Sequence, residues 1–376
     1  MNKKPFIFGI ATFGENFTDR VNETARLKNN FIYGINSVLI SPRRWGKTSL
    51  VKKVCDISNS ERLKTVYIDI FSCRNEKEFI DTYATAILKQ TSTKFDEFID
   101  SAKKFITNLT PVFHIGTDPM NDYSLSLEWR GKSTNIDEIL QLPEMIAISK
   151  GIKIVVCIDE FQQIAEFNDS KTFQKKLRTV WQLQQNVSYC IFGSKKHLMN
   201  ELFEKRSLPF YKFGDSIYLP KISTPDWIAY ICERFKSTGK DISTTLAGRV
   251  ALSVENHSSY VQQLAWLLWI YSDCEATEEN LSDAFKDLID QNSLLFEKQT
   301  ENLSSYQMNF LRAITDGVTS EFSSQEIIQR YKLGTSANVT VIKKALLKKE
   351  LIDIENKQVT ISDPVMKLWL KQRYFR

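Results

Sequence analysis

Ser41-Pro42-Arg43-Arg44-Trp45-Gly46-Lys47-Thr48-Ser49 follows the apolar run Val38-Leu39-Ile40 and leads into a helical pattern that continues through Val54. A short strand, a tight loop and a helix start bearing Gly-Lys-Thr can cradle phosphate. Backbone N–H groups of the loop and helix N-terminus point at the anion, the lysine reaches the β- and γ-phosphates, and the hydroxyl ligates Mg²⁺. Ser41 stands where the G-x-x-x-x-G-K-[ST] pattern has its first Gly, which matters only if that position needs a positive φ. A solvated basic turn before an ordinary helix would use the same residue types; the strand-loop-helix context argues against it.

Further along, Ile152-Lys153-Ile154-Val155-Val156-Cys157-Ile158 ends in Asp159-Glu160. A continuous β-branched run is what a strand buried on both faces of a parallel sheet requires. Two carboxylates at its C-terminal end are costly unless they have chemistry to do. After a phosphate loop, the first, Asp159, holds the Mg²⁺ shell with Thr48, and the second, Glu160, polarises the attacking water. Lys47 and Glu160 are thus candidate catalytic groups. Ser194 ends the next strand, Val187–Ser194, and is a third candidate, either touching the γ-phosphate or lytic water or merely capping the helix that starts at Lys195. Asp69 reads as a polar strand end.

The elements that must position these groups follow from periodicity. A helix is expected from Asp19 or Thr18 as cap to about Tyr33, with Arg20 and Glu23 as an i,i+3 surface pair. A strand at Lys64–Phe71 and a helix at Glu76–Gln90 come after the loop helix. Residues 91–150 read as an insertion. It comprises a helix near Phe95–Leu109, a hairpin turning at Asp118-Pro119-Met120-Asn121-Asp122 and alternating through Trp129, and a helix at Ile136–Lys150. A basic, aromatic loop, Lys205 to Gly214, precedes a last strand, Ser216–Leu219; its Arg206 or Lys212 can serve as a finger toward a neighbouring nucleotide, though solvated surface is the simpler reading. From Thr224 the pattern is wholly helical, a lid domain, with His257 as a cap or surface residue.

The end of the chain has the order of a winged helix: helices at Tyr306–Thr315, Ser324–Tyr331 and Ser336–Glu350, then strands at Leu351–Ile354 and Gln358–Ile361. From Leu303 onward twelve Lys+Arg face seven Asp+Glu, so the whole net charge of +5 lies in this module. Lys343, Lys344 and Lys348 on the third helix are candidate contacts to double-stranded DNA; they also fit the solvent face of a helix whose core side carries Val341, Ile342, Ala345, Leu346 and Leu347. The expected division is a core at 1–222, a lid at 223–300 and the winged helix at 301–376.

Composition excludes other classes. A chain of 376 residues, 42% hydrophobic and 25% charged, is ordinary for a globular protein. No apolar run reaches the roughly 18 residues a membrane span needs, and Met1–Pro5 lacks the apolar core of a signal peptide. A cytoplasmic protein is expected. The six cysteines form no C-x-x-C pair and read as reduced, buried small hydrophobes; with three dispersed histidines a zinc site is not expected.

With these residues assembled, the chain resembles the prokaryotic P-loop ATPases of the archaeal-ATPase type, within the AAA-related STAND class. Pro42-Arg43-Arg44-x-Gly46-Lys47-Thr48-Ser49-Leu50, Asp159-Glu160-Phe161-Gln162, Gly193-Ser194, Phe210-Tyr211-x-Phe213-Gly214 and Tyr260-Val261-Gln262-Gln263-Leu264-Ala265 carry the likeness. The resemblance implies an α/β P-loop core with a five-stranded parallel sheet in 5-1-4-3-2 order, a helical lid and a C-terminal winged helix. It also recasts Phe17–Glu23 as the class's h-h-G-R-E-x-E motif, which implies Arg20 near the nucleotide; here Asp19 replaces Gly and Val21 replaces Glu. Ser258 replaces a Pro that implies an adenine contact.

The expected function is an ATP-binding and ATP-hydrolysing switch, Mg·ATP lying between core and lid and its occupancy changing how the winged helix is displayed. Two alternatives remain open: a DNA-binding protein of initiator type, in which ATP locks the winged helix on duplex, and an adaptor that holds ATP or ADP without turnover and contacts protein partners. A kinase is disfavoured, since Asp159-Glu160 suits water activation. An oligomer is compatible with all three.

Overall fold

The computed structural model describes residues 4–10, 17–107, 109–116, 123–128 and 136–375. Contacts divide the chain into two units, Asp19–Pro220 and, separately, Lys221–Arg376 together with the N-terminal stretch up to Thr18.

In the first unit the chain runs α1 (Val21–Tyr33), β1 (Ser37–Ile40), α2 (Lys47–Ser58), β2 (Leu63–Asp69), α3 (Glu76–Thr91), α4 (Phe95–Phe105), β3 (Thr110–Ile115), β4 (Tyr123–Glu128) and α5 (Asp137–Lys150). It continues through β5 (Lys153–Asp159), a 3₁₀ turn at Phe161–Glu166, α6 (Ser170–Trp181), β6 (Val187–Gly193), α7 (Lys196–Glu204) and β7 (Asp215–Tyr218). The five-stranded sheet has the order β2-β5-β6-β1-β7, and all four pairings are parallel. With the hairpin strands set aside, this is the 5-1-4-3-2 order expected from the sequence. Central strands β1 and β6 are buried at every position, the consequence of helices on both faces of a parallel sheet.

The β3–β4 pair is the antiparallel hairpin expected from alternation; its turn at Asp118–Asp122, like Trp129, lies outside the described residues. The helix expected to reach Leu109 stops at Phe105, with Ile106 turning into extended backbone. At the sheet edge, Arg26 forks onto Asp215, Nε donating at 2.8 Å, and Asn30 Nδ2 donates to the same carboxylate at 2.8 Å. The Arg26 hydrogen bonds hold Asp215 below the usual carboxylate range. A depressed carboxylate contributes stability that is present above its unfolded pKa, about 4, and is lost as pH falls through the lower folded value. Wild type should therefore lose more melting temperature than Asp215→Asn between pH 6 and pH 3. Parallel acid dependence of the two would contradict this.

The second unit comprises α8 (Thr224–Lys236), α9 (Thr244–Ser253), α10 (Ser258–Tyr271), α11 (Glu278–Glu301), α12 (Ser305–Thr315), α13 (Gln325–Tyr331), α14 (Ser336–Lys348), β8 (Ile352–Glu355), β9 (Gln358–Ile361) and α15 (Pro364–Trp369). Three helices and an antiparallel β8–β9 ribbon are the winged helix. Capping explains the helix starts: Ser223, Ser243, Thr277, Ser304, Ser324 and Thr335 each accept a backbone N–H of the first turn. One hydrophobic cluster runs from Trp227 through Leu268 and Phe296 to Trp369, and Phe6 joins it, its ring 6.1 Å from Tyr230 and 5.8 Å from Phe235.

Several local expectations are corrected. His257 does stand at the N-cap position of α10, but it is buried rather than on the surface and its side chain makes no cap hydrogen bond; it packs 4.8 Å from the Tyr260 ring. Tyr260 in turn donates to Asp363 at 2.5 Å, the residue that caps α15. Val341, expected in the core, is 66% exposed. The cysteines are all free, but Cys232 is only partly buried and Cys274 is exposed.

Candidate functional site

Strand β1 delivers the loop, and α2 begins at Lys47 with Gly46 in the left-handed region. Positive φ falls at Arg44 (62°) and Gly46 (89°), and Ser41 is not among the positive-φ residues. Serine in place of the pattern's first Gly is thus without steric cost. Lys47 is 5% exposed and donates to the carbonyls of Ser41 at 2.9 Å and Pro42 at 2.7 Å and to Ser41 Oγ at 3.3 Å. Burial pushes its ammonium down to about 8, against the pull of Asp159 and Glu160 and with a further push from Arg43. A buried cation whose hydrogen-bond acceptors are two carbonyls and a hydroxyl, all of them neutral, is short of direct counter-charge, the condition a phosphate would relieve. Arg43 and Arg44 are exposed, Pro42, Trp45 and Thr48 partly buried, and Ser49 buried.

Parallel pairing of β5 beside β2 and β6 brings Asp159 to the loop. Thr48 Oγ1 donates to Asp159 Oδ2 at 2.9 Å, Tyr67 of β2 donates its hydroxyl to the same oxygen at 2.7 Å, and the Glu160 N–H donates to Oδ1 at 2.8 Å. Burial raises the Asp159 pKa, opposed by the Tyr67 and Thr48 hydrogen bonds. A hydroxyl and a carboxylate at contact distance are hard oxygen donors of the kind Mg²⁺ takes in company with substrate phosphates and water, so Thr48 and Asp159 fit that ion. Among the described residues no three His, Cys, Asp or Glu side chains gather into a metal cage.

Glu160 is left-handed at φ 56°, an uncommon conformation for this residue type. Phe161 beside it fixes that turn in the core, packing on Phe210 at 5.2 Å and Phe203 at 5.9 Å. The Glu160 carboxylate then receives Ser194 Oγ at 2.9 Å and Gln162 Nε2, while Arg43 Nε donates to Ser194 at 3.2 Å. Ser194 therefore does not cap α7, whose N-cap is Lys195 with no side-chain bond. Gln162 reaches Glu160 because it lies across a glycine: a Cβ on Gly193 would stand 1.9 Å from Gln162 Oε1.

Arg20 is the largest revision of the surface reading. It is 2% exposed, sits in the left-handed region at φ 68°, and donates through Nη2 to the Trp45 carbonyl at 3.1 Å and through Nη1 to Glu23 at 3.3 Å. It occupies the N-cap position of α1, displacing the expected Thr18 or Asp19 cap. Asp19 also has positive φ, 55°, at the position where the class motif has Gly. Asp69 stays outside the cluster, its carboxylate accepting from the Phe71 N–H at 2.9 Å. Arg206 and Lys212 are exposed loop residues.

On the winged helix the lysines divide. Lys343 is partly buried with its ammonium 5.1 Å from the Phe322 ring centroid, and burial lowers its pKa. Lys344 and Lys348 are exposed. Tyr67 escaped sequence reasoning as a functional position: a tyrosine inside an apolar strand is ordinary, and only the register Asp69↔Asp159 reveals its reach; Gly193 was flagged by the family likeness, but not for the room it leaves Gln162.

The profile of the "ATPase domain predominantly from Archaea" matches residues 17–210, and that of a "probable winged helix domain" matches residues 294–372. Among solved structures, the Walker-type ATPase of Pyrococcus abyssi is 17% identical with a TM-score of 0.69, covering 98% of this chain and 99% of that one. The ORC2 protein of Aeropyrum pernix, in its ADPNP-ADP complexes, is 14% identical with a TM-score of 0.59, covering 100% and 99%. Its ADP form gives 14%, 0.53, 95% and 96%. No curated protein matches the chain.

Proposed function

Because the chain belongs to the family of ATPase domains found predominantly in Archaea, and carries a winged helix behind that domain, we propose that it binds Mg·ATP at the Ser41–Ser49 loop, hydrolyses it, and uses nucleotide occupancy as a switch for the winged helix. The observation that carries this reading is convergence: Arg20, Lys47, Thr48, Asp159, Glu160 and Ser194 come from four separate stretches of sequence and are linked by hydrogen bonds around one loop. Mg²⁺, held by Thr48 and Asp159, supplies charge neutralisation on the phosphates. Lys47, released from the Ser41 and Pro42 carbonyls, binds the β- and γ-phosphate oxygens. Glu160 accepts a proton from water as the water oxygen bonds to the γ-phosphorus and the bond to the β-bridging oxygen breaks, leaving ADP and phosphate. Ser194, between Arg43 and Glu160, orients that carboxylate.

Steady-state phosphate release by the full chain with Mg·ATP tests the reading. Turnover supports it. Tight nucleotide binding without turnover under any condition would replace it with the adaptor.

A second reading, duplex binding through the winged helix, is favoured by the concentration of the +5 charge after Leu303 and by the exposure of Lys344 and Lys348. Lys344→Gln with Lys348→Gln should weaken duplex binding and reduce the slope of log K against log salt by about 2. Lys343→Gln should change the slope less, its ammonium being engaged over Phe322. Absence of duplex binding at low salt would remove this reading, and DNA-stimulated phosphate release would join it to the first.

A further inference from the structure

The Asp159 carboxylate offers about four lone-pair sites. Its Oδ1 accepts the Glu160 N–H; its Oδ2 accepts both Thr48 Oγ1 and the Tyr67 hydroxyl. Oδ2 is therefore saturated, and one site remains, on Oδ1. Thr48, whose hydrogen is committed to Asp159, keeps its oxygen lone pairs for a cation. Without Tyr67 the carboxylate could rotate about its Cβ–Cγ bond, and the commitment of Thr48 would be lost with it.

Tyr67 is built to hold this position. It lies one same-face step back from Asp69, which is opposite Asp159 in the β2–β5 register, so its long side chain reaches forward along that face. Its ring is held between the Lys52 ammonium, 4.7 Å from the centroid, and the Phe192 ring, 6.2 Å away. Packing that fixes the rotamer also fixes where the hydroxyl points.

We propose that Tyr67 is a positioning residue for metal-dependent nucleotide binding: its hydroxyl orients the Asp159 carboxylate, and through it the Thr48 hydroxyl, toward a divalent cation. This rests on the nucleotide reading of the loop. Groups of this kind, one bond removed from the ion, typically change metal affinity about 10-fold or more when removed.

The test measures equilibrium binding of a fluorescent ADP to the full chain, with Mg²⁺ and with chelator, for wild type, Tyr67→Phe, Asp159→Asn and the double variant. Tyr67→Phe keeps the ring and its packing. The Mg²⁺-dependent gain in affinity should fall about 10-fold, metal-free affinity should stay unchanged, and in the Asp159→Asn background the substitution should add nothing. A gain equal to that of wild type overturns the proposal. So does an equal loss with and without Mg²⁺, which marks a structural role for the hydroxyl, and so does a further loss in the Asp159→Asn background. Wild type that fails to bind the probe under either condition overturns the nucleotide reading, and this proposal with it.

Discussion

Glu160→Gln is expected to lower steady-state phosphate release by about 10²- to 10⁴-fold, the range for removing a general base, while fluorescent-ADP affinity stays near that of wild type. The separation follows from where the residue sits. Glu160 touches neither Lys47 nor Thr48 through its side chain; its carboxylate faces Ser194 and Gln162. A glutamine amide oxygen can still accept from both donors, so the left-handed turn anchored by Phe161 has no reason to move. What is lost is the ability to take a proton from water. Retained turnover in the variant would remove Glu160 from the mechanism and direct attention to another base.

Gly214→Ala should be the most damaging single-methyl change in the first unit. A Cβ there would lie 2.2 Å from the Asn36 carbonyl oxygen and 2.5 Å from its carbon, and backbone cannot step aside as a side-chain tip can. The same Asn36 carbonyl accepts the Asp215 N–H at 2.8 Å, and Asn36 Oδ1 accepts the Tyr189 N–H at 2.8 Å. The residue before β1 thus ties together β1, β6 and β7, and a methyl group wedged against it separates the strand carrying the phosphate loop from its neighbours. Overpacking typically costs about 1 to 3 kcal/mol, and a clash with backbone belongs at the upper end, about 3 kcal/mol, which for a unit of this size lowers the melting temperature by about 6 to 12 °C. A melting curve superimposable on wild type would mean that the Asn36 turn relaxes freely.

The parallel sheet, its strand order and the loop were legible because they depend on local signals: β-branched runs buried on both faces, and Gly46-Lys47-Thr48 between a strand and a helix. The hairpin was legible from alternation. Arg20 was legible only through the family motif, because i,i+3 spacing to Glu23 describes a surface pair and a buried fork equally well; the fold shows the Trp45 carbonyl in reach. Val341 was misread for a related reason. Helical periodicity places it beside Ile342, but the stripe that meets α12 and β8 is narrower than the apolar sequence, so Val341 stays on the outer face with Lys344. Phe210-Tyr211-x-Phe213-Gly214 carried the family likeness without a stated cause. The cause is packing: two rings in the core beside Phe161 and Trp181, and a glycine that lets Asn36 approach.

The placement of Phe6 makes the first unit an insertion. Both the chain leading into Asp19 and the chain leaving Pro220 belong to the same helical body, so the nucleotide-binding unit unfolds as a closed loop rather than as a free tail. Pinning both ends restricts the unfolded ensemble much as a cross-link does. One backbone cut at the 220–221 junction would leave the two bodies covalently joined through the N-terminal segment, and a fragment starting at residue 221 would lack the aromatic side chain that fills the gap between Tyr230 and Phe235.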